Sequence, residues 1–394
     1  MNKINGKNGL VAMLMSLSLL TGCDSGSSNT SNSTAEIVKA PEEVQQSFDY
    51  QAAIDSAISD AVPGIVLLVE TPESRFLGAA GLADIETQTP MQTYHVMPTG
   101  SAGKKLTALL TVLLEQEGLL SLDAKINTFL DAEILSQIEN SDQITIRQLL
   151  NNTSGVYNYL DEQTATDYYS TLLTSDLSQL KLDPFALAFA LNKPAYAMPG
   201  EAFNYSNTGY LLVGLILDKL LGEHHSAAMR ERIIEPLGMN SSFYGGVEKQ
   251  VGDIISGYYQ HDTFGTLNTK PFYESIGYAD APLRSNVEDL AALLKHIVSP
   301  DSVFSQEVQS KFFEQASLVK ISEAQEYGLG IYKERINNKT VYHHGGIEAG
   351  YSTTNIFIAE TQTSITAFFN CGLNVQCEVE SDKVVHAILN NELK

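Results

Sequence analysis

The sequence is short of positive charge. Its 394 residues carry 24 Lys and Arg against 47 Asp and Glu, a formal net charge of −23. Phosphate backbones are bound by clustered cations, so a nucleic-acid partner is excluded. Cysteine is also scarce, with three residues: Cys23, Cys371 and Cys377. No histidine lies near the last two in sequence, so thiol nucleophile chemistry has no support there. The eight histidines include no H-E-x-x-H or similar spacing, so no metal site and no cofactor are expected. There is no internal repeat. After residue 22 there is no apolar run long enough to span a bilayer. What remains is a chain with 43% hydrophobic and 18% charged residues, enough to bury a substantial core in one large or two medium domains.

The N-terminus reads as a targeting segment. Lys3 and Lys7 form a basic region, and "LVAMLMSLSLL" from Leu10 to Leu20 is apolar but short. "LTGC" then resembles a bacterial lipobox, which would make residues 1–22 a lipoprotein signal peptide and Cys23 the lipidated first residue of the mature chain. Two or more acyl chains would anchor it stably to a membrane. Asp24 resembles the inner-membrane retention signal of enteric-type bacteria. The expected location is therefore the cell envelope, lipid-anchored and facing the periplasm. The Ser-, Asn- and Thr-rich stretch that follows Cys23, through about residue 47, reads as a flexible tether with a reach of roughly 25–30 Å. In such a compartment Cys371 and Cys377 could pair or remain free thiols.

Residues 48–394 read as the folded domain. Helical spacing covers 48–61, and two strands, 64–71 and 74–84, are joined by a turn at Pro72 and Glu73. From Leu120 to about Met239 the pattern is mostly helical, and 288–298 is a clear amphipathic helix. Four strands follow near the end, and a helix over 381–393 closes the chain. Strands at both ends with helices between predict an α/β (α+β) fold: one antiparallel sheet from both termini, flanked by helices, with a helical subdomain inserted.

Three short stretches carry candidate chemistry. In "GSAGKKLTALL" Ser101 and Lys104 lie three apart on one helix face. A serine hydroxyl needs a nearby base, and burial lowers a lysine pKa far enough to supply one. Lys105, about 100° around the helix, is expected to reach solvent or an acidic partner. Ser178–Lys181 and Ser317–Lys320 share the S-x-x-K spacing, but only Ser101 follows a glycine and opens a long apolar helix. The second stretch is Tyr205-Ser206-Asn207 after a Pro-Gly turn. Tyr205 can move a proton if neighbouring cations lower its pKa, and Asn207 can orient an amide or cap the next helix. The third is "YHHGGIEAGYS", where only one of His343 and His344 can face a site if both lie on a strand.

The order and spacing of these stretches resemble the serine β-lactamase and penicillin-binding-protein superfamily, in its class C-like branch. Ser101–Lys104 is similar to its S-x-x-K motif, Tyr205–Asn207 to Y-x-N, and His344–Gly346 to K/H-x-G. "ITIRQLLNNTSGV", "IIEPLGMNSS" and "YGLGI" resemble further segments of that branch, over roughly 48–394. The resemblance implies a β-lactamase/transpeptidase-like fold. Ser101 becomes the acyl-forming nucleophile, Lys104 its activator and Tyr205 a second general acid and base. Asn207 and His344 become substrate-binding residues. The N–H groups of Ser101 and of Ile347, after Gly346, become the oxyanion hole.

Two departures from the pattern bear on the substrate. His344 stands where lysine is common, which weakens the case for a β-lactamase whose substrates carry a carboxylate. Asn151-Asn152 replaces the usual pair before T-S-G. No separate deacylating glutamate of the class A type is found, so water activation falls to Tyr205. The expected substrate is a D-amino-acid peptide (D-Ala-D-Ala carboxypeptidase-like, such as a peptidoglycan stem peptide), then a carboxyl ester, then a β-lactam. The rival from another class is an inert penicillin- or peptidoglycan-binding lipoprotein.

Overall fold

"GIVLLVE" is apolar at almost every position, the mark of a strand covered on both faces. It forms β1 (Gly64–Glu70), buried from Gly64 to Val69. β1 pairs antiparallel with β2 (Arg75–Asp84) on one side, Ile65 opposite Ala80. On the other side it pairs with the last strand of the chain, Ile65 opposite Phe369. The two ends of the domain therefore meet in one sheet, as the strand pattern predicts. These coordinates are a computed structural model that describes residues 48–261 and 265–394. The expected signal segment, Cys23, Asp24 and the expected tether lie outside the described residues.

The sheet has ten strands among the described residues. Beyond β1 and β2 they are β3 (Thr89–Pro90), β4 (Val319–Lys320), β5 (Gln325–Tyr327), β6 (Tyr332–Ile336) and β7 (Lys339–His343). β8 (Gly346–Glu348), β9 (Tyr351–Ile358) and β10 (Thr363–Phe369) complete it. Their order is β4-β5-β6-β7-β9-β10-β1-β2-β3, with β8 paired to β9. β10 is buried along its whole length, so helices must cover both faces of the sheet centre.

Five helices frame the site and the sheet. α1 (Tyr50–Asp55) is capped by Asp49, whose side chain accepts from the Ala52 N–H at 2.9 Å. It is shorter than the spacing over 48–61 predicts, because Ser59 and Val62 exchange main-chain bonds and close a turn before Pro63. α2 (Lys104–Gln116) follows a one-turn tight helix, Gly100–Gly103, and is buried from Lys104 to Val112. α3 (Asn207–Leu221) stops at Gly222, whose φ of 74° suits a left-handed helix end. α4 (Val287–Val298) packs its apolar face on β9 and β10. α5 (Val375–Glu392) begins earlier than its sequence pattern suggests, because Asn374 caps the N–H groups of Gln376 and Cys377. That cap puts Cys377 in the first turn of α5, where it forms a disulfide with Cys371. The core beneath α2 and α3 is continuous, and truncating a buried member such as Leu109 or Leu211 to Ala costs about 2–5 kcal/mol.

Candidate active site

The turn Gly100–Gly103 brings Ser101 to the mouth of α2, where the first N–H groups of a helix lack partners. β8 runs against this turn. A Cβ on Gly346 would sit 2.1 Å from the Thr99 oxygen and 2.8 Å from the Ser101 nitrogen, so only glycine fits. Gly100 has a φ of 53°, and a Cβ there would lie 3.1 Å from the Ile347 nitrogen. The Ser101 and Ile347 backbones are thus held side by side, with the Ile347 side chain 43% exposed.

Lys104 and Tyr205 converge on the Ser101 hydroxyl. Lys104 Nζ lies 3.0 Å from Ser101 Oγ and Tyr205 Oη 2.9 Å from it. Lys104 is 0% exposed, and its Nζ also donates to Asn207 Oδ1 at 2.7 Å and to the main-chain oxygen of Asp280 at 2.9 Å. Burial lowers its pKa to about 8, against the pull of the Asp280 and Glu348 carboxylates. A neutral amine there has a lone pair for the serine proton while still donating to Asn207 and Asp280. Tyr205 goes the other way from the expectation that cations lower it. Burial outweighs the Ser101 hydrogen bond, and Asp280 and Glu348 add to the upward shift, so its hydroxyl keeps its proton.

Asn207 sits in the first turn of α3, and the cap position belongs to Ser206. Its side chain serves Lys104 rather than the helix end. Asn158 Oδ1 accepts from both the main-chain N–H and Nδ2 of Asn207, at 3.1 and 3.2 Å, which turns Asn207 Oδ1 toward the lysine. Tyr205 is held in a similar way by Asn152, which has a φ of 59°. The Asn152 main-chain oxygen accepts from the Asn204 N–H at 2.8 Å, and its side-chain oxygen accepts from the Ser206 N–H at 3.0 Å. Asn152 and Asn158 are positioning residues that the motif reading missed. The unusual Asn-Asn before T-S-G was the available signal.

His344 is the histidine on the Tyr205 side, with ring centroids 6.1 Å apart. His343 instead stacks on Tyr332 at 5.2 Å and lies 3.3 Å from Glu334. His344 Nδ1 is 2.7 Å from the Gly345 oxygen, which fixes the proton on that nitrogen. Burial and the nearby Lys105 and Lys104 push its pKa well down, so it is neutral at pH 7. Lys105 corrects another expectation. It reaches neither solvent nor an acidic partner: it is 0% exposed and donates to the His344 main-chain oxygen at 3.3 Å. α2 is covered all round at its first turn, so an angle of 100° only exchanges one buried face for another.

The other S-x-x-K pairs lack this setting. Ser178 is exposed and donates to Asp176, while Ser317 receives a hydrogen bond from Arg147 at 2.7 Å. The fold also gathers Asp218, His224 and His225, which the sequence did not single out as metal ligands. Both ring nitrogens of His225 are already taken, by Asp218 at 2.7 Å and Tyr244 at 2.8 Å.

Relatives share both the sequence and the fold. The chain is 25% identical over 308 residues to penicillin-binding protein 4* of Bacillus subtilis, covering 74% of this chain and 64% of that one. It therefore spans a little under two thirds of that relative's length. A D-stereospecific amidohydrolase from Streptomyces superposes with a TM-score of 0.71 at 24% identity, covering 84% of this chain and 97% of that one. A D-amino acid amidase from Ochrobactrum anthropi, solved with L-phenylalanine amide, gives a TM-score of 0.71 at 22% identity, covering 87% and 98%. The family model for Beta-lactamase matches residues 44–389. With its ten-stranded antiparallel sheet and flanking helices, this chain belongs to the Beta-lactamase family.

Proposed function

We propose that the chain is a serine hydrolase that opens amides or esters of D-amino acids through an acyl-enzyme on Ser101. The observation that carries this reading is the pair of contacts on one oxygen: Lys104 Nζ at 3.0 Å and Tyr205 Oη at 2.9 Å from Ser101 Oγ. Neutral Lys104 takes the serine proton as Oγ bonds to the substrate carbonyl carbon. The oxyanion that forms is met by the N–H groups of Ser101 and Ile347. As the bond to the leaving group breaks, Tyr205 gives that group its proton and is reprotonated from Lys104. Water then enters and loses a proton to the same pair as its oxygen bonds to the acyl carbon; the pair returns a proton to Ser101 Oγ as the acyl bond breaks and the acid leaves.

The two amidases of similar fold supply the D-amino-acid part of the reading. The state of His344 sharpens it. A neutral imidazole offers no fixed charge to a carboxylate beside the scissile bond, which penicillins and D-Ala-D-Ala peptides both carry. Substrates with an uncharged leaving group rank above them. The reading includes an envelope location through lipidated Cys23, supported by "LTGC" after a short apolar run. Mass spectrometry of the membrane fraction checks it: a mature chain that starts elsewhere without lipid removes it.

The test is labelling by a fluorophosphonate together with turnover of D- and L-amino-acid p-nitroanilides. Ser101→Ala is expected to lose both labelling and turnover, while Ser178→Ala and Ser317→Ala keep both. Labelling of wild type without turnover of any ester or amide favours a binding protein instead.

A further inference from the structure

The acylation chemistry leaves two carboxylates in the site unused. Within β8 successive side chains alternate, so Glu348 leaves the strand on the same face as Gly346, the face pressed against Ser101. Its charge is felt at both Lys104 and Tyr205. Glu348 Oε2 accepts from Tyr273 Oη at 3.1 Å. The second carboxylate is Asp280, whose main-chain oxygen already holds Lys104. Asp280 is 3% exposed; Oδ2 accepts from Tyr159 Oη at 3.1 Å, and Oδ1 has no hydrogen-bond partner among the described residues. A buried carboxylate oxygen without a partner is costly unless something charged or polar completes it.

The charge balance says what that is. Arg284 is the permanent cation near both carboxylates, with its Nη atoms spent on the main-chain oxygens of Ala281, Tyr273 and Ile276. Lys104 is the other cation they feel, and it must be neutral to take the serine proton. In the reactive state only Arg284 offsets them, and burial holds both above the ordinary carboxylate range, with Asp280 adding to the rise of Glu348 to about 7. A second cation beside them would hold both ionised.

We infer that Asp280 and Glu348 form a subsite for a primary ammonium on the acyl part of the substrate. This rests on the acyl-enzyme reading above. The ammonium is either the free α-amine of an amino-acid amide or a side-chain amine on an N-blocked residue. A cation there takes the place of the charge that Lys104 gives up. It also weakens the hold of the two carboxylates on the lysine proton, so binding such a substrate favours the basic form of Lys104.

The experiment compares kcat/KM at pH 7, where an α-amine with a pKa of about 7.7–8.0 is mostly charged. The probes are D-phenylalanine p-nitroanilide, its N-acetyl derivative, Nα-acetyl-D-lysine p-nitroanilide, and p-nitrophenyl butyrate as the uncharged reference. At least one amine-bearing anilide is expected to exceed N-acetyl-D-phenylalanine p-nitroanilide by roughly tenfold or more, the scale of one charged hydrogen bond. Which one it is tells the α-amine from the side-chain amine. Glu348→Gln and Asp280→Asn are expected to bring that ratio toward one. Glu348, being only half-buried, is the substitution that folding tolerates more readily. Turnover of the butyrate with no preference for either amine overturns the subsite and leaves the hydrolase reading standing. Failure to turn over the butyrate and every anilide removes both.

Discussion

Lys105 Nζ donates to the main-chain oxygen of His344 at 3.3 Å, and no carboxylate among the described residues pairs with it. The contact ties the first turn of α2 to the chain segment that leads into β8. It is made by an ammonium group with no counter-ion, and burial alone brings its pKa from 10.5 to about 7. Lys105→Met keeps the buried stem and removes the charge.

The sign of the effect follows from proton binding. Between about pH 7 and 10.5 the unfolded chain holds a proton on Lys105 that the folded chain does not, so stability rises with pH across that window. Below pH 7 the burial cost is present in full, on the order of 5 kcal/mol at about 1.4 kcal/mol per pH unit. Loss of the hydrogen bond to His344 returns about 1 kcal/mol. Lys105→Met is therefore expected to be several kcal/mol more stable than wild type at pH 6, with the gap closing toward pH 10.5. Urea unfolding at both pH values measures it. Equal stability at pH 6 would mean that the ammonium finds a partner in solution.

On the proposed mechanism Lys104 sets the pH dependence of acylation. Its pKa of about 8 means the basic form grows as pH rises through that value. The kcat/KM for an uncharged ester is expected to climb tenfold per unit below pH 7 and level off above pH 9. Tyr205, shifted upward, contributes no limb in this range. A profile flat from pH 6 to 9 would remove Lys104 as the base.

Much of the fold was legible because its signals are local. The apolar runs of β1 and β10 and the amphipathic pattern of α4 each need one neighbour to make sense. Ser101 stood out from Ser178 and Ser317 because Gly100 and an apolar helix follow from the sequence alone. The missed features depend on distant partners. That Lys105 is buried requires the third-motif segment lying over α2, some 239 residues further along the chain. The direction of the Tyr205 pKa follows first from its burial, to which Asp280 and Glu348 add, and no motif shows either. Asn158 looks like a loop polar residue until Asn207 is seen to share its oxygen.

His344→Lys tests the charge requirement of the site. A lysine there adds a cation where a carboxylate beside the scissile bond would lie. It also adds a third amine next to Lys104 and Lys105, which already depress the His344 pKa. The ratio of kcat/KM for a penicillin to that for a neutral ester is expected to rise about five- to 150-fold, for about 1–3 kcal/mol from one charged contact. The gain is expected above all where the new lysine is protonated, so it should shrink at high pH. An unchanged ratio with activity retained would place the carboxylate site elsewhere.

Asn152 is the residue whose substitution separates geometry from chemistry, because it touches neither Ser101 nor Lys104 in the contacts described. It grips the chain on both sides of Tyr205, through the N–H groups of Asn204 and Ser206. Asn152→Gly keeps the main-chain contact and permits the φ of 59°, but removes the side-chain acceptor for Ser206. Asn152→Ala removes the same acceptor and adds backbone strain of about 1 kcal/mol or more. If Tyr205 delivers the leaving-group proton, loosening its loop lowers kcat and leaves KM nearly alone. Both variants are expected to lose roughly ten- to hundredfold in kcat on anilides, whose amine departs only with a proton. Loss on p-nitrophenyl esters should be smaller, because p-nitrophenolate leaves without one. The alanine variant should be the less stable of the two. A purely structural role predicts equal losses on anilides and esters that track stability, and that pattern would refute the assignment of Tyr205 as the proton donor.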